Sequence, residues 1–417
     1  MIIKFQNIFK AWNSNDWCLA YILFFSIIYM PLVPIGFAFW ILTFWKYFEK
    51  KEYKISTGIE IYFLSYYLLL AIGLLWTSDL DTGLFKMENK LTFLLFPILF
   101  YFSRFTLSKT KILNILLFSL CFSLILYEVI AIFRSIYHIE NNHWGYFKDS
   151  LFTLFMHRGY YALYLVIGSL ICHSKIYDKK NKAMYIILFI FLSVGVIQTY
   201  SKAGVLSLLI FNLILLLFTV GRKKIWKTGL FISFGFISLF IILMSFDSNL
   251  INRFKQIPIS TSQIKLENNN SSESNQARIL MWSASIKSMK KGSILGYGTG
   301  DDIAILKEQN ESNFNRKMAD KEMNSHNQFF TTALQLGIPG LIILLAAFLS
   351  SWIKFFREKD ILALLISFCF FSNFLIESML ERQAGVVLFC VLTLCLSLNK
   401  NHLLIKKNNN TDPMRAS

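Results

Sequence analysis

Three side chains in this sequence have the types and places expected of a site that holds a phosphate and moves a proton. His326 lies in Asn324-Ser-His-Asn-Gln-Phe-Phe330, directly before a long apolar run. A neutral imidazole ionises near pKa 6.5 and can take a proton from a hydroxyl close to neutral pH. Ser325 and Gln328, three residues apart, form the pattern of a capping box, which predicts a helix start with His326 in its first turn and Asn327 beside it. Arg278 opens Arg-Ile-Leu-Met-Trp282. Its planar fork suits two parallel hydrogen bonds to a phosphate, and Trp282, four residues on, shares its helix face and suits a membrane interface. Lys202 stands in Thr199-Tyr-Ser-Lys-Ala-Gly204, between two apolar runs with almost no loop. Each has an ordinary alternative: a lysine that snorkels to the headgroups, an arginine on a solvated helix face, a histidine bonded to water.

A second group faces the same compartment. His157 and Arg158 open an apolar run in Met156-His-Arg-Gly-Tyr-Tyr161, and Arg158 could supply a second phosphate fork. Glu377 and Glu381 stand one turn apart with Arg382 beside them, and read first as an interfacial ion pair or helix-end charges, Glu377 being a possible support for the site. Gly296-Tyr-Gly-Thr-Gly300 lacks the lysine of a phosphate-binding loop, and Asp301 and Asp302 behind it would repel phosphate. No HExxH or closely spaced His/Cys/Asp set is present, so no metal and no cofactor is expected.

The elements that position these residues are membrane helices. The chain is 55% hydrophobic and only 16% charged, too little charge to cover a soluble surface of 417 residues. Its apolar residues fall in blocks approaching the ~20 residues that cross a bilayer core, where the backbone must satisfy itself. Twelve spans are predicted, at about 17–30, 34–48, 59–76, 91–103, 112–135, 157–173, 184–199, 203–219, 228–246, 326–352, 361–378 and 384–398. The fourth is short and holds Pro97, which implies a tilt, kink or partial re-entry. Lys and Arg cluster at alternate junctions, which explains the net charge of +17 by the positive-inside rule, not by nucleic acid, and puts both termini in the cytoplasm. No cleavable-signal pattern is expected at the start, and the six cysteines, all within apolar runs, read as packing residues.

The expected layout is helices 1–9 in residues 1–246, a loop subdomain at 247–325 on the outer side, helices 10–12 at 326–398 and a cytoplasmic tail at 399–417. Residues 77–90 and 136–156 and the turn at 379–383 also face outward. In the long loop, Gln256–Gln276, which includes the Asn/Ser-rich stretch Asn268–Gln276, reads as a flexible connector, whereas Ile279, Trp282, Ile286 and Met289 recur at helical steps over Ala277–Lys290.

Taken in order, Thr-Tyr-Ser-Lys-Ala-Gly at 199–204, Arg-Ile-Leu-Met-Trp at 278–282, Gly-Tyr-Gly-Thr-Gly at 296–300, Ser-His-Asn-Gln-Phe-Phe at 325–330 and Leu-Gly-Ile-Pro-Gly at 336–340 resemble the O-antigen ligase and O-antigen polymerase family of the bacterial cell envelope. The resemblance implies an all-α, GT-C-like fold of about twelve transmembrane helices in the inner membrane, with the site facing the periplasm. It implies a metal-independent, inverting glycosyltransferase that takes a glycan from an undecaprenyl-diphosphate carrier to an acceptor hydroxyl. In ligases of lipopolysaccharide biosynthesis that acceptor is lipid A–core; in polymerases it is another lipid-linked repeat. By position, Arg278 would hold the diphosphate and His326 would act as base or acceptor-orienting group. Lys202 stands where the family usually has arginine, keeping the charge and losing the fork. A flippase or transporter is the reading from another class; it would want polar groups lining a mid-membrane cavity.

Overall fold

The computed structural model describes residues 12–44, 58–103, 105, 107–137, 143–176, 181–223, 273–313, 320 and 322–398. The expected ninth span at 228–246, the loop from 247 to 272 and the tail from 399 lie outside the described residues. All regular elements among the described residues are helical. The principal ones are α1 (Ser14–Ile28), α2 (Val33–Phe44), α3 (Glu60–Gly73), α4 (Leu80–Asn89), α5 (Thr92–Phe102), α6 (Lys109–Tyr137), α7 (Arg158–Ile176), α8 (Lys182–Gln198), α9 (Lys202–Lys223), α10 (Glu273–Lys291), α11 (Asp302–Ser312), α12 (Gln328–Arg357), α13 (Ile361–Phe374) and α14 (Gln383–Leu396).

Among the described residues, three helices are long and apolar enough to cross a membrane: Lys109–Tyr137, Lys202–Thr219 and Gln328–Arg357. Shorter apolar helices surround them, as fits a polytopic membrane protein. Because α7 and α14 are apolar all round, they bury all round and form the centre of the bundle. Against α7 pack α6, α8, α9 and α13. Its polar exceptions find partners inside: Asn212 Nδ2 donates to Ser169 Oγ at 3.0 Å, and Asn212 Oδ1 meets His173 Nδ1 at 3.0 Å, joining α9 to α7. The cysteines are free, and all but half-buried Cys121 are buried.

Three local expectations change. First, the tenth span is not one straight helix from 326 to 352. It starts at Gln328, ends at Arg357 and breaks at Gly337, whose φ of 63° and ψ of −154° no helix contains. The break frees carbonyls near the bilayer, and the glycine-rich loop closes over them. Tyr297 N donates to Leu334 O at 2.8 Å, Gly298 N to Gln335 O at 3.1 Å, and Ile338 N to Ile294 O at 2.9 Å. That is the work of Gly296–Gly300, and it needs glycine: a Cβ on Gly296 would sit 2.6 Å from Gly337 N, and one on Gly337 would collide with Ile294 O. Beyond the break, Pro339 falls in a first turn, where its missing N–H costs nothing.

Second, the capping box over Ser325 and Gln328 is not formed. Asn327 is the N-cap, its carboxamide oxygen accepting from Phe329 N at 2.9 Å and Phe330 N at 3.1 Å. An Asn two residues nearer the apolar run outcompetes the serine, and Ser325 Oγ donates instead to Asn327 O at 2.7 Å. His326 therefore lies just before the helix, with a left-handed backbone at φ 48°. Third, residues 77–90, expected to face outward, contain α4, an inverted helix with Lys86 and the following Lys90 buried and Leu80, Leu84 and Phe85 exposed.

Candidate functional site

Three elements bring the outer residues together: the start of α10, the turn before α12 and the segment after α13. Arg278 rises from α10 as the helical spacing predicts. Its Nε donates to Ile376 O at 3.0 Å, and a terminal nitrogen meets Glu377 Oε2 at 3.3 Å. His326 Nδ1 faces the other oxygen of the same carboxylate, Oε1, at 3.3 Å. One glutamate therefore binds both the guanidinium and the imidazole, and all three side chains remain 18–29% exposed, reachable from outside.

The backbone around His326 is fixed from three directions. Trp282 Nε1 donates to His326 O at 3.2 Å, so the tryptophan one turn from Arg278 holds the histidine as well. His326 N donates to Asn324 Oδ1 at 3.0 Å, and Asn327 Nδ2 donates to Leu375 O at 3.0 Å. These bonds hold a left-handed residue that would otherwise be disfavoured. Burial pushes Glu377 upward, but the hydrogen bond from His326 and the charges of His326, Arg278 and His157 outweigh it and hold its carboxyl down at about 2. It is a fixed anion at any ordinary pH.

The remaining candidates occupy the same end of the bundle with different partners. His157 precedes α7, and burial first, then the cations Arg382, Arg158 and Arg278, drive its pKa down against the pull of Glu377. Arg158 is ion-paired with Asp149. Lys202 is the first residue of α9; Gly204 packs within 2.6 Å of Ala162 of α7 by the position a Cβ would take, which puts Lys202 at the Arg158 end of that helix.

A polar strip runs inward from this cluster along the first half of α12. Thr331 Oγ1 and Ser378 Oγ lie 2.9 Å apart, Leu380 N donates to Gln328 Oε1 at 2.6 Å, Gln328 Nε2 donates to Thr332 Oγ1 at 3.2 Å, and Thr332 Oγ1 meets Tyr66 OH at 3.0 Å. At its inner end lies a charge cluster that the sequence reading did not find. Lys90 Nζ bonds Glu381 Oε1 at 2.8 Å, Gln335 Nε2 donates to Glu381 Oε2 at 3.1 Å, and Lys86 pairs with Asp302 while standing 3.8 Å from Glu381. Lys90 is wholly buried, Asp302 is 1% exposed, and Lys86 nearly as sealed. Asp301 next door accepts from Ser78 N at 2.8 Å and Asp79 N at 3.0 Å. The signals available in sequence were the four-residue spacings of Lys86 with Lys90 and Glu377 with Glu381; only the fold pairs them.

Residues 187–345 match the family described as O-antigen ligase, a stretch that includes Lys202, Arg278, His326 and the α12 break and stops short of Glu377. No curated protein matches the chain.

Proposed function

We propose that this chain is a glycosyltransferase of the O-antigen ligase type, taking a glycan from an undecaprenyl-diphosphate carrier to an acceptor hydroxyl, with lipid A–core as the acceptor. It lies in the bacterial inner membrane with the Arg278, Glu377 and His326 cluster open to the periplasm. The observation that carries this reading is the single carboxylate shared by a guanidinium and an imidazole at the outer end of the bundle. A family match covering Lys202, Arg278 and His326 supports it.

The chemistry follows from the geometry. Glu377, as an acceptor, favours the His326 tautomer with its proton on Nδ1, so Nε2 keeps a lone pair for the acceptor hydroxyl. As the hydroxyl oxygen forms its bond to the anomeric carbon, its proton passes to Nε2. The bond from that carbon to the carrier's diphosphate breaks from the opposite face, and the leaving group departs with the electron pair. Single displacement inverts the anomeric centre. Arg278 meets the charge that grows on the diphosphate, with Lys202 adding to the field from α9. Glu377 touches neither substrate in this scheme: it orients base and cation together.

Purified protein in phosphatidylcholine nanodiscs, given a defined lipid-diphosphate-linked glycan, tests this. Transfer to a lipid A–core acceptor, slowed by orders of magnitude in Arg278→Gln and His326→Ala, is the expected result. Transfer only onto a second lipid-linked glycan would make the protein a polymerase of the same chemistry. Undiminished transfer by either folded variant would remove the site from the reaction.

A further inference from the structure

The geometry points to Arg382 as a second guanidinium that grips the diphosphate of the lipid-linked donor, an assignment that rests on the functional reading above. Arg382 ends the segment that carries Glu377 and Glu381 and immediately precedes α14. Contacts from α7 bring it to the site. Tyr160 OH donates to the carbonyls of Ser378 and Met379, both at 3.3 Å, and Tyr164 OH donates to Ala384 O at 2.6 Å. Gly385 is pressed so close that a Cβ there would collide with Met379 O and lie 3.0 Å from the Tyr160 ring. The start of α14 is thus clamped onto the first turns of α7, which opens at Arg158 with His157 just before it.

Availability separates the arginines. Arg278 has its charge compensated by Glu377, and Arg158 by Asp149. Arg382 is exposed and has no side-chain hydrogen bond or ion pair among the described residues. Its field already reaches the site. His157 is pushed down by burial first, and of the three cations that deepen the fall Arg382 outweighs both Arg158, its neighbour in sequence, and Arg278. A diphosphate brings more negative charge than the Arg278 and Glu377 pair can meet, because that pair is already close to neutral. An unpaired fork beside it supplies what is lacking, with the bidentate geometry that Lys202 does not have.

Binding of three probes to the full chain in phosphatidylcholine nanodiscs tests the assignment: farnesyl diphosphate, farnesyl monophosphate and inorganic pyrophosphate. Arg382→Gln should weaken farnesyl diphosphate by about tenfold or more, the scale of one charge-assisted contact. Pyrophosphate should weaken by the same ratio and monophosphate by less. Arg382→Lys should recover part of the loss, through charge without the fork. Lys307→Gln, on an exposed pair with Glu322, should bind as the wild type does. Thermal unfolding identifies variants that are folded, which an exposed arginine predicts for both. Wild-type binding by Arg382→Gln would overturn the assignment, as would a loss confined to the farnesyl compounds, which would place Arg382 on the chain or the bilayer. Arg278→Gln separates the two readings. If it weakens diphosphate binding and Arg382→Gln does not, only this assignment falls; if neither does, the diphosphate site itself falls.

Discussion

Glu377 and Glu381 stand four residues apart on one short segment, each receives two basic side chains, and the two outcomes differ in kind. Glu377 lies where its partners, Arg278 and His326, are still reached by solvent. Glu381 lies deeper, 12% exposed against a wholly buried Lys90 and a 7% exposed Lys86, inside a cluster closed by Asp302 and Gln335. A partly exposed pair stays reachable by a substrate and can serve chemistry; a sealed pair contributes mainly by not being broken. The same residue type, one turn further along, changes from a functional group into a structural pin. Lys86 and Asp302 extend that pin to α11, which ties the region around the glycine-rich loop to the bundle beneath the site.

Breaking the inner cluster should give the largest effect. Glu381→Ala leaves Lys90 and Lys86 buried without it, and we expect a loss of ~3–5 kcal/mol in stability, visible as a sharp fall in melting temperature in detergent. Replacing the pair together, Glu381→Leu with Lys90→Met, should recover most of it, since the removed charges no longer need each other. A double variant as unstable as Glu381→Ala would mean that the pair does not act as a unit.

Glu377→Gln should act mainly on transfer. It keeps the shape but removes the charge and one of the two acceptor oxygens, and we expect transfer to fall by ~10²-fold, the scale of a displaced general base, with a smaller fall in melting temperature than Glu381→Ala gives. Acid sharpens the contrast. The folded Glu377 carboxyl is held at about 2 against an ordinary 4.5, so its contribution to stability is whole above 4.5 and is lost as pH falls from there toward 2. Asp302 has the other sign: burial, against the pull of Lys86, raises its pKa, so its contribution is whole below its ordinary 3.8 and declines as pH rises through the raised value. Acid melts should therefore show a steeper loss between pH 4.5 and 2 in the wild type than in Glu377→Gln. The smallest change is at Lys202, where arginine should be tolerated and alanine should lower transfer about tenfold, measured in the same reconstituted assay.

The outer cluster was legible because cations and a histidine at the ends of apolar runs stand out against that background, although each also has an ordinary explanation. Even there the capping rule misplaced His326, since Asn327 is the better cap and the histidine is displaced into the turn before the helix. The inner cluster was not legible. Lys86 and Lys90 fall in a stretch read only as facing outward, and only the burial of α4 against α11 and the 379–381 turn shows that its lysines point inward and its leucines out. The break at Gly337 was hidden for a related reason: a glycine and a proline inside an apolar run are tolerated in membrane helices, and nothing local says that a loop some forty residues upstream will supply the missing hydrogen bonds.

The central claim is that His326 and Glu377 act as one base. A double-mutant cycle on the transfer rate, with His326→Ala, Glu377→Gln and the two combined in the reconstituted protein, tests it most directly. The account predicts that adding Glu377→Gln to His326→Ala costs much less than the ~10²-fold that Glu377→Gln costs alone, because with the imidazole absent only the hold on Arg278 remains to be lost. Losses that multiply, each variant costing its full factor on top of the other, would contradict it.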